Sequence, residues 1–222
     1  MSKRRSQQRG RSKAASVSLR KTFPWAAVLG STALGVALVA VLAYAVLNAG
    51  SAAPNPLSDA DNSVPGVVVA DTPPSQGHKP GPLKYDQTPS WGGEHNGTWM
   101  TCQGNVYDAE VPEENAAHSM EHGAVWVSYR PDLPKDQVTE LRDLVEGTDY
   151  RLMSPFPGQK ASISIQAWGR QLTADSADDP ALKKFAQEFT NGPQTPEKGA
   201  TCSGGVQTTG ISDPTDAAPA MS

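Results

Sequence analysis

The longest apolar segment of the chain, residues 25–47, contains 23 residues without a charged side chain. As a helix it would extend about 35 Å at about 1.5 Å per residue, which is enough to cross the hydrocarbon core of a bilayer. Phe23, Trp25 and Tyr44 lie near its ends, where aromatic side chains favour the membrane interface. We therefore predict a transmembrane helix at residues 23–47.

Charge predicts the orientation of this helix. Eight of the 19 Lys and Arg residues fall within residues 1–21, and no acidic residue precedes Asp59. Basic residues stay on the cytoplasmic side of a span, so residues 1–22 are predicted to be a cytoplasmic tail and the rest to be exported. The alternative is a cleaved signal peptide, which the small residues at 51–53 permit. An apolar region of about 7–15 residues is typical of such peptides, so an uncleaved single-pass anchor in the cell membrane is favoured.

The exported part is acidic. Residues after 21 contain 11 Lys and Arg against 23 Asp and Glu, which gives a net charge of about −12. Such a charge disfavours binding to nucleic acid. We expect the membrane to be contacted through residues 23–47 and any protein partner to belong to the cell envelope.

Composition divides the exported part into three regions. Residues 48–76 are rich in Ala, Pro, Ser, Asn and Asp and are predicted to be a flexible linker. Residues 77–205 are predicted to form one extracytoplasmic globular domain. Residues 206–222 have almost no large apolar side chain and are predicted to be a disordered tail.

Both cysteines of the chain, Cys102 and Cys202, lie on the predicted exported side. They are too far apart in sequence for a Cys-x-x-Cys redox motif, and an oxidising compartment favours their pairing. We predict a disulfide that ties the end of the domain to its beginning. A catalytic thiol is the competing interpretation.

Periodicity within the domain predicts an α+β fold with a small, mainly antiparallel sheet and two or three packed helices. Helices are predicted to begin at Pro112, Pro134 and around Pro180, because proline suits the first helical position. Strands are predicted at 124–129, 150–153 and 161–168, the last from its alternation of apolar and polar side chains.

Four histidines, His78, His95, His118 and His122, lie within 45 residues of one another. His118 and His122 are four residues apart on a predicted helix, so both side chains would lie on one face and bind the same metal ion. Glu121 is placed to join them as a ligand or to act as a base. We predict a transition-metal site formed by these five residues, for copper or zinc.

Two other functions remain open at this point. His118-Ser119-Met120-Glu121-His122 matches the H-x-x-E-H pattern of a group of zinc proteases, in which Glu121 would be the catalytic base of a metal-dependent hydrolase. A domain of about 130 residues leaves little room for a peptide cleft, which argues against this function. The other alternative is a non-metal interaction or structural domain of the envelope, in which the histidines and Trp91, Trp99 and Trp168 form a polar and aromatic surface.

Several segments together resemble the bacterial domain of unknown function 3105 family, from residue 78 to about residue 205. They are Pro89-Ser90-Trp91-Gly92-Gly93-Glu94-His95, His118-Ser119-Met120-Glu121-His122-Gly123-Ala124-Val125, Tyr129-Arg130-Pro131, Ser154-Pro155-Phe156-Pro157-Gly158 and Ala167-Trp168-Gly169. The sequence has Thr88 where the family pattern has a proline. The resemblance implies a domain behind a single membrane anchor, in a family whose function is unassigned.

Overall fold

The computed structural model describes residues 59–71 and 73–210, which form an α+β domain. The described residues contain four helices and six strands: α1 (Asp59–Ser63), β1 (Val68–Val69), β2 (Gln103–Val106), α2 (Glu113–Glu121), β3 (Val125–Tyr129), α3 (Lys135–Val145), β4 (Arg151–Pro155), β5 (Ile163–Ala167), β6 (Arg170–Ala174) and α4 (Pro180–Phe189).

The six strands form one mixed sheet in the order β1-β6-β5-β3-β4-β2. The β1–β6, β6–β5 and β5–β3 pairs are antiparallel, whereas β4 is parallel to both β3 and β2. The predicted α+β class is confirmed, but the prediction of a mainly antiparallel sheet missed its parallel part. The β3–β4 pair is parallel because α3 lies between the two strands and returns the chain to the end of the sheet where β3 began.

Three helices predicted from prolines are present as α2, α3 and α4. Pro180 occupies the first turn of α4, where the side chain of Asp179 accepts a hydrogen bond from the Ala181 N–H at 2.8 Å. This bond satisfies one of the free amide groups at the helix start. Gly123 follows α2 with a φ of 110°, a conformation that ends the helix and favours glycine.

One face of the sheet packs against α3 and α4. Phe185 and Phe189 of α4 are fully buried there, with ring centroids 4.6 Å apart. Each fully buried side chain of this size contributes about 1.5–3 kcal/mol to folding. The core on this face also includes Val125, Val127, Leu141, Val145, Met153, Ile163, Ile165, Leu172 and Leu182.

The other face packs against α2 and the long segment before β2. Its core contains the fully buried Trp126, whose indole N–H donates a hydrogen bond to the Ser154 hydroxyl at 3.1 Å. Phe156, Trp168 and Met120 pack in the same core. The four histidines also lie on this side of the sheet, beside α2.

The predicted disulfide is confirmed. Cys102 and Cys202 are bonded and lie in the core beside α2, and their sequence separation is 100 residues. The Cys102 N–H also donates to the Cys202 carbonyl oxygen at 3.1 Å. The bond therefore fixes the last described segment against the start of β2.

The ordered domain begins upstream of residue 77, within the segment predicted to be a flexible linker. Ala60 of α1 and Val64, just after this helix, are buried in the core that includes Phe185 and Phe189, and β1 pairs with β6 at the edge of the sheet. Arg170 holds this segment in place through two hydrogen bonds to the Asp61 carboxylate, both 3.0 Å. Burial of these two apolar side chains favours the docking of this segment.

The predicted cytoplasmic tail, the predicted transmembrane helix and most of the predicted C-terminal tail lie outside the described residues. Within residues 59–71 and 73–210, no helix has the length and apolar character needed to span a bilayer.

Candidate metal centre

Four side chains bring potential metal ligands together on the α2 side of the sheet. His78, His95, His118 and Glu121 each offer one ligand atom, and these atoms all lie within 4.8 Å of one another. We call these four residues the histidine–glutamate group. The side chains of His95 and Glu121 are 0% and 2% exposed, whereas that of His78 is 51% exposed. The group therefore opens to solvent on the His78 side.

Helix α2 supplies two members of the group. His118 and Glu121 are three residues apart, so their side chains lie on the same face of the helix. Ser119 fixes the helix to the preceding segment, because its hydroxyl lies 2.8 Å from the Met100 carbonyl oxygen. The Asn115 amide donates to the Thr98 carbonyl oxygen at 2.7 Å.

His78 and His95 come from the long segment before β2. This segment doubles back on itself: the Lys79 N–H donates to the His95 carbonyl oxygen at 2.7 Å, and the His95 N–H donates to the Gly77 carbonyl oxygen at 3.0 Å. The two histidines are thereby neighbours, with ring centroids 4.8 Å apart. His78 also stacks on His118 at 4.9 Å.

Main-chain carbonyl groups select the tautomer of the buried histidines. The Nδ1 atom of His95 lies 2.7 Å from the Gly93 carbonyl oxygen, and that of His118 lies 2.7 Å from the Asn96 carbonyl oxygen. A carbonyl oxygen only accepts, so each Nδ1 must carry a proton. A neutral imidazole then has its lone pair on Nε2, the arrangement found in histidines that bind metals.

The Nε2 atom of His95 faces the carboxylate of Glu121. Its Nε2 atom lies 3.0 Å from Oε2 of Glu121, and Nε2 of His78 lies 3.6 Å from the same oxygen. Two acceptors at this distance require a cation between them, either a proton on Nε2 or a metal ion. A metal ion bound tetrahedrally to an imidazole and a carboxylate holds their ligand atoms about 3.4 Å apart. These two distances match that spacing to within a few tenths of an ångström, whereas the ligand atoms of the whole group lie up to 4.8 Å apart.

Electrostatics favour the ligand forms of His118 and Glu121. Burial, together with the neighbouring histidines and against the effect of its bond to Asn96, lowers the pKa of His118 from 6.5 to about 4. Burial acts to raise the pKa of Glu121, but the hydrogen bond from His95 and the nearby histidines outweigh it and the pKa is lowered. At neutral pH the group thus offers a neutral imidazole and a charged carboxylate, as metal binding requires.

His122, the remaining predicted ligand, lies beside the group and not within it. Its ring is perpendicular to that of His118, with centroids 4.6 Å apart. Its Nδ1 atom lies 2.7 Å from the Thr201 carbonyl oxygen, and its Nε2 atom lies 3.5 Å from Oε2 of Glu197. The group therefore contains His118 with Glu121, and His122 is a neighbour of the group and not one of its members.

Two tryptophans pack against histidine rings, one at the histidine–glutamate group and one at His122. Trp168 packs edge-on against His95, with centroids 5.7 Å apart, and Gly92 leaves room for it, because a Cβ there would lie 2.9 Å from its ring. Trp99 packs at 4.8 Å from His122. Sequence reasoning named these tryptophans only as surface residues. It missed the orienting groups at Gly93, Asn96 and Thr201, which are main-chain carbonyls and leave no signal in side-chain identity.

Comparison with known families identifies a matching family. The family described as "Protein of unknown function (DUF3105)" matches residues 78–204, more than half of the chain. The chain belongs to this family. No curated protein and no solved structure shows significant similarity to it.

Three of the five segments that carry the DUF3105 resemblance supply residues in the histidine–glutamate group or packed against it. His95 ends the first of them, His118 and Glu121 lie in the second, and Trp168, which packs on His95, lies in the last. Phe156, from another of these segments, packs on Trp126 beneath the site, with ring centroids 5.7 Å apart. The family match begins at His78 itself and so includes every member of the histidine–glutamate group.

Proposed function

We propose that this DUF3105 domain is a membrane-anchored extracytoplasmic domain that binds a transition metal, copper or zinc. The ligands are the histidine–glutamate group, His78, His95, His118 and Glu121. Residues 23–47 are the anchor in this proposal, and residues 1–22 are its cytoplasmic tail. The observation that carries the proposal is the convergence of these four ligand atoms within 4.8 Å, with Nδ1 of both buried histidines bonded to main-chain carbonyl oxygens so that Nε2 is the atom facing the group.

The ligand set narrows the choice of metal. Three imidazoles and a carboxylate suit zinc or oxidised copper, whereas reduced copper prefers sulfur ligands. Met100 and Met120 are fully buried in the core of the sheet and fill space there. These two thioethers are therefore assigned to packing and not to metal binding, which favours Zn²⁺ or Cu²⁺ over Cu⁺.

The position of Glu121 favours a binding role over hydrolysis. A catalytic base acts on a metal-bound water and stays out of the metal's coordination sphere. Here Oε2 of Glu121 lies 3.0 Å from His95 and 3.6 Å from His78, among the ligand atoms themselves. Glu121 is therefore assigned as a ligand in this proposal.

Elemental analysis tests the proposal. The full-length chain, purified in mild detergent without chelators, should contain at least one equivalent of zinc or copper. His95→Asn and His118→Asn should each lose it, because the asparagine amide keeps a donor for the main-chain carbonyl but removes the Nε2 ligand. Absence of metal from the folded wild type after incubation with Zn²⁺ and Cu²⁺ would assign the histidines a structural role in an envelope interaction domain.

A further inference from the structure

A second arrangement of ligand atoms lies at the C-terminal end of α2. The Nδ1–H of His122 donates to the Thr201 carbonyl oxygen at 2.7 Å, so the lone pair of the neutral ring is on Nε2. This atom lies 3.5 Å from Oε2 of Glu197. His122 thus has the same arrangement as His95: a proton fixed on Nδ1 by the main chain, and Nε2 beside a carboxylate.

We propose that His122 and Glu197 form a second metal position, through which zinc or copper passes between the histidine–glutamate group and the outside. This inference rests on the proposed metal binding. In this proposal the domain passes its zinc or copper ion on to a second metal-binding molecule and does not store the ion.

Geometry supports a bridging ion at the second position. An ion bound tetrahedrally at about 2.0–2.2 Å to nitrogen and oxygen separates the two ligand atoms by about 3.4 Å. The observed 3.5 Å matches that separation. It exceeds the roughly 2.7–2.9 Å of a hydrogen bond between an imidazolium and a carboxylate.

The segment carrying Glu197 is fixed against α2. The Glu197 N–H donates to the Glu121 carbonyl oxygen at 3.0 Å. The Tyr150 hydroxyl donates to the Ala200 carbonyl oxygen at 3.0 Å, and the disulfide at Cys202 closes the segment. Glu197 is therefore held next to His122 although its side chain is 51% exposed.

The two positions together form a path with two open ends. His78 is 51% exposed at one end and Glu197 is 51% exposed at the other. His95 and His118 lie between them, 0% and 5% exposed. The rings of His118 and His122 are 4.6 Å apart, so an ion moves between positions by exchanging one imidazole for its neighbour. A storage site would need only one opening.

Calorimetric titration of the full-length chain with Zn²⁺ tests the inference. Wild type should bind two equivalents, the second more weakly because it has fewer ligands. Glu197→Gln and His122→Asn should each bind one equivalent, and His122→Asn keeps a donor for the Thr201 carbonyl. Glu140→Gln, which changes an exposed carboxylate on α3 at the other face of the sheet, is the matched control and should bind two.

Each result separates the two proposals. Loss of one equivalent in both variants, with the other retained, supports the second position. Binding of a single equivalent by wild type, or equal stoichiometry in wild type and both variants, overturns it while leaving the proposed function intact. Absence of Zn²⁺ binding in every protein overturns the proposed function and this inference together. Glu197 is exposed, so its substitution leaves the fold in place even if His122→Asn does not.

Discussion

The Nε2 atom of His95 lies 3.0 Å from the Oε2 atom of Glu121, and both side chains are buried. The other ring nitrogen of His95 is committed to the Gly93 carbonyl oxygen. The His95–Glu121 pair is therefore the place where a proton and a metal ion compete for the same space. Metal binding should release a proton from this pair, which an unbuffered titration with Zn²⁺ would detect.

Removing the carboxylate should weaken metal binding. Glu121→Gln replaces a charged oxygen ligand with a neutral amide of the same size. Loss of a group that only orients a ligand typically lowers metal affinity 10–100-fold, so loss of a ligand should cost about 100-fold or more. Competition with a chromophoric zinc chelator measures the change. Glu94→Gln is the control: this exposed carboxylate pairs with Lys79 beside the site, and its loss should leave affinity nearly unchanged.

Acid should destabilise the metal-free domain. The pKa of His118 is about 4 in the folded domain and 6.5 as a free side chain. The unfolded chain therefore binds a proton between these values that the folded domain does not, and the free energy of unfolding falls as pH falls from about 6.5 to 4. The full shift corresponds to about 3 kcal/mol. Glu121, whose pKa is lowered, adds to the loss below its ordinary value of 4.5.

Urea denaturation at pH 7 and pH 4.5, followed by tryptophan fluorescence, measures this loss. His118→Asn removes the titrating ring and should make the pH dependence shallower. Parallel pH profiles in wild type and variant would contradict the assignment of the effect to His118.

The disulfide should be a main source of stability. Cys102 and Cys202 are separated by 100 residues in sequence. Closing a loop of that length lowers the conformational entropy of the unfolded chain and so stabilises the folded domain. The chain-entropy model gives about 4.7 kcal/mol, and removal of a native disulfide typically costs about 2–5 kcal/mol. The double variant Cys102→Ser/Cys202→Ser should lose that amount in urea denaturation. Wild type with reductant should behave in the same way; equal stability of oxidised and reduced protein would refute the prediction.

Removing one partner of the buried ion pair between Asp61 and Arg170 should destabilise the domain more than replacing both partners with apolar residues. Asp61→Ala leaves the Arg170 guanidinium buried, which typically costs about 3–5 kcal/mol. The double variant Asp61→Leu/Arg170→Met should recover most of that loss, because no charge remains buried. Thermal unfolding compares the two, with Asp59→Ala, an exposed acid on the same helix, as the control. A double variant as unstable as the single one would contradict the argument.

The fold was predictable where a local pattern decided the structure. Proline at helix starts and alternation in residues 161–168 predicted α2, α3, α4 and β5. Strand β6 was missed because its first two residues, Arg170 and Gln171, are polar and yet buried. Arg170 is compensated by Asp61, 109 residues away in sequence, and no local pattern carries that information.

In the candidate site too, local sequence patterns predicted some of the contacts, and the others depend on residues that are distant in sequence. Helical spacing predicted His118 and His122 on one face of α2 with Glu121 beside them, and the structure groups His118 with Glu121. The meeting of His78 and His95 with them depends on main-chain hydrogen bonds in the segment before β2, which side-chain patterns do not encode. His122 lies outside the group because the Thr201 carbonyl, brought near by the disulfide, holds its ring toward Glu197.

Three histidine rings take their tautomer from the carbonyl oxygens of Gly93, Asn96 and Thr201. A carbonyl oxygen is present whatever side chain a residue carries, so substitution at position 201, which is exposed, leaves the ring of His122 oriented. Mutational tolerance should therefore be high at position 201 and low at the histidines. A designer transplanting this centre into another protein must reproduce the course of the backbone as well as the ligands.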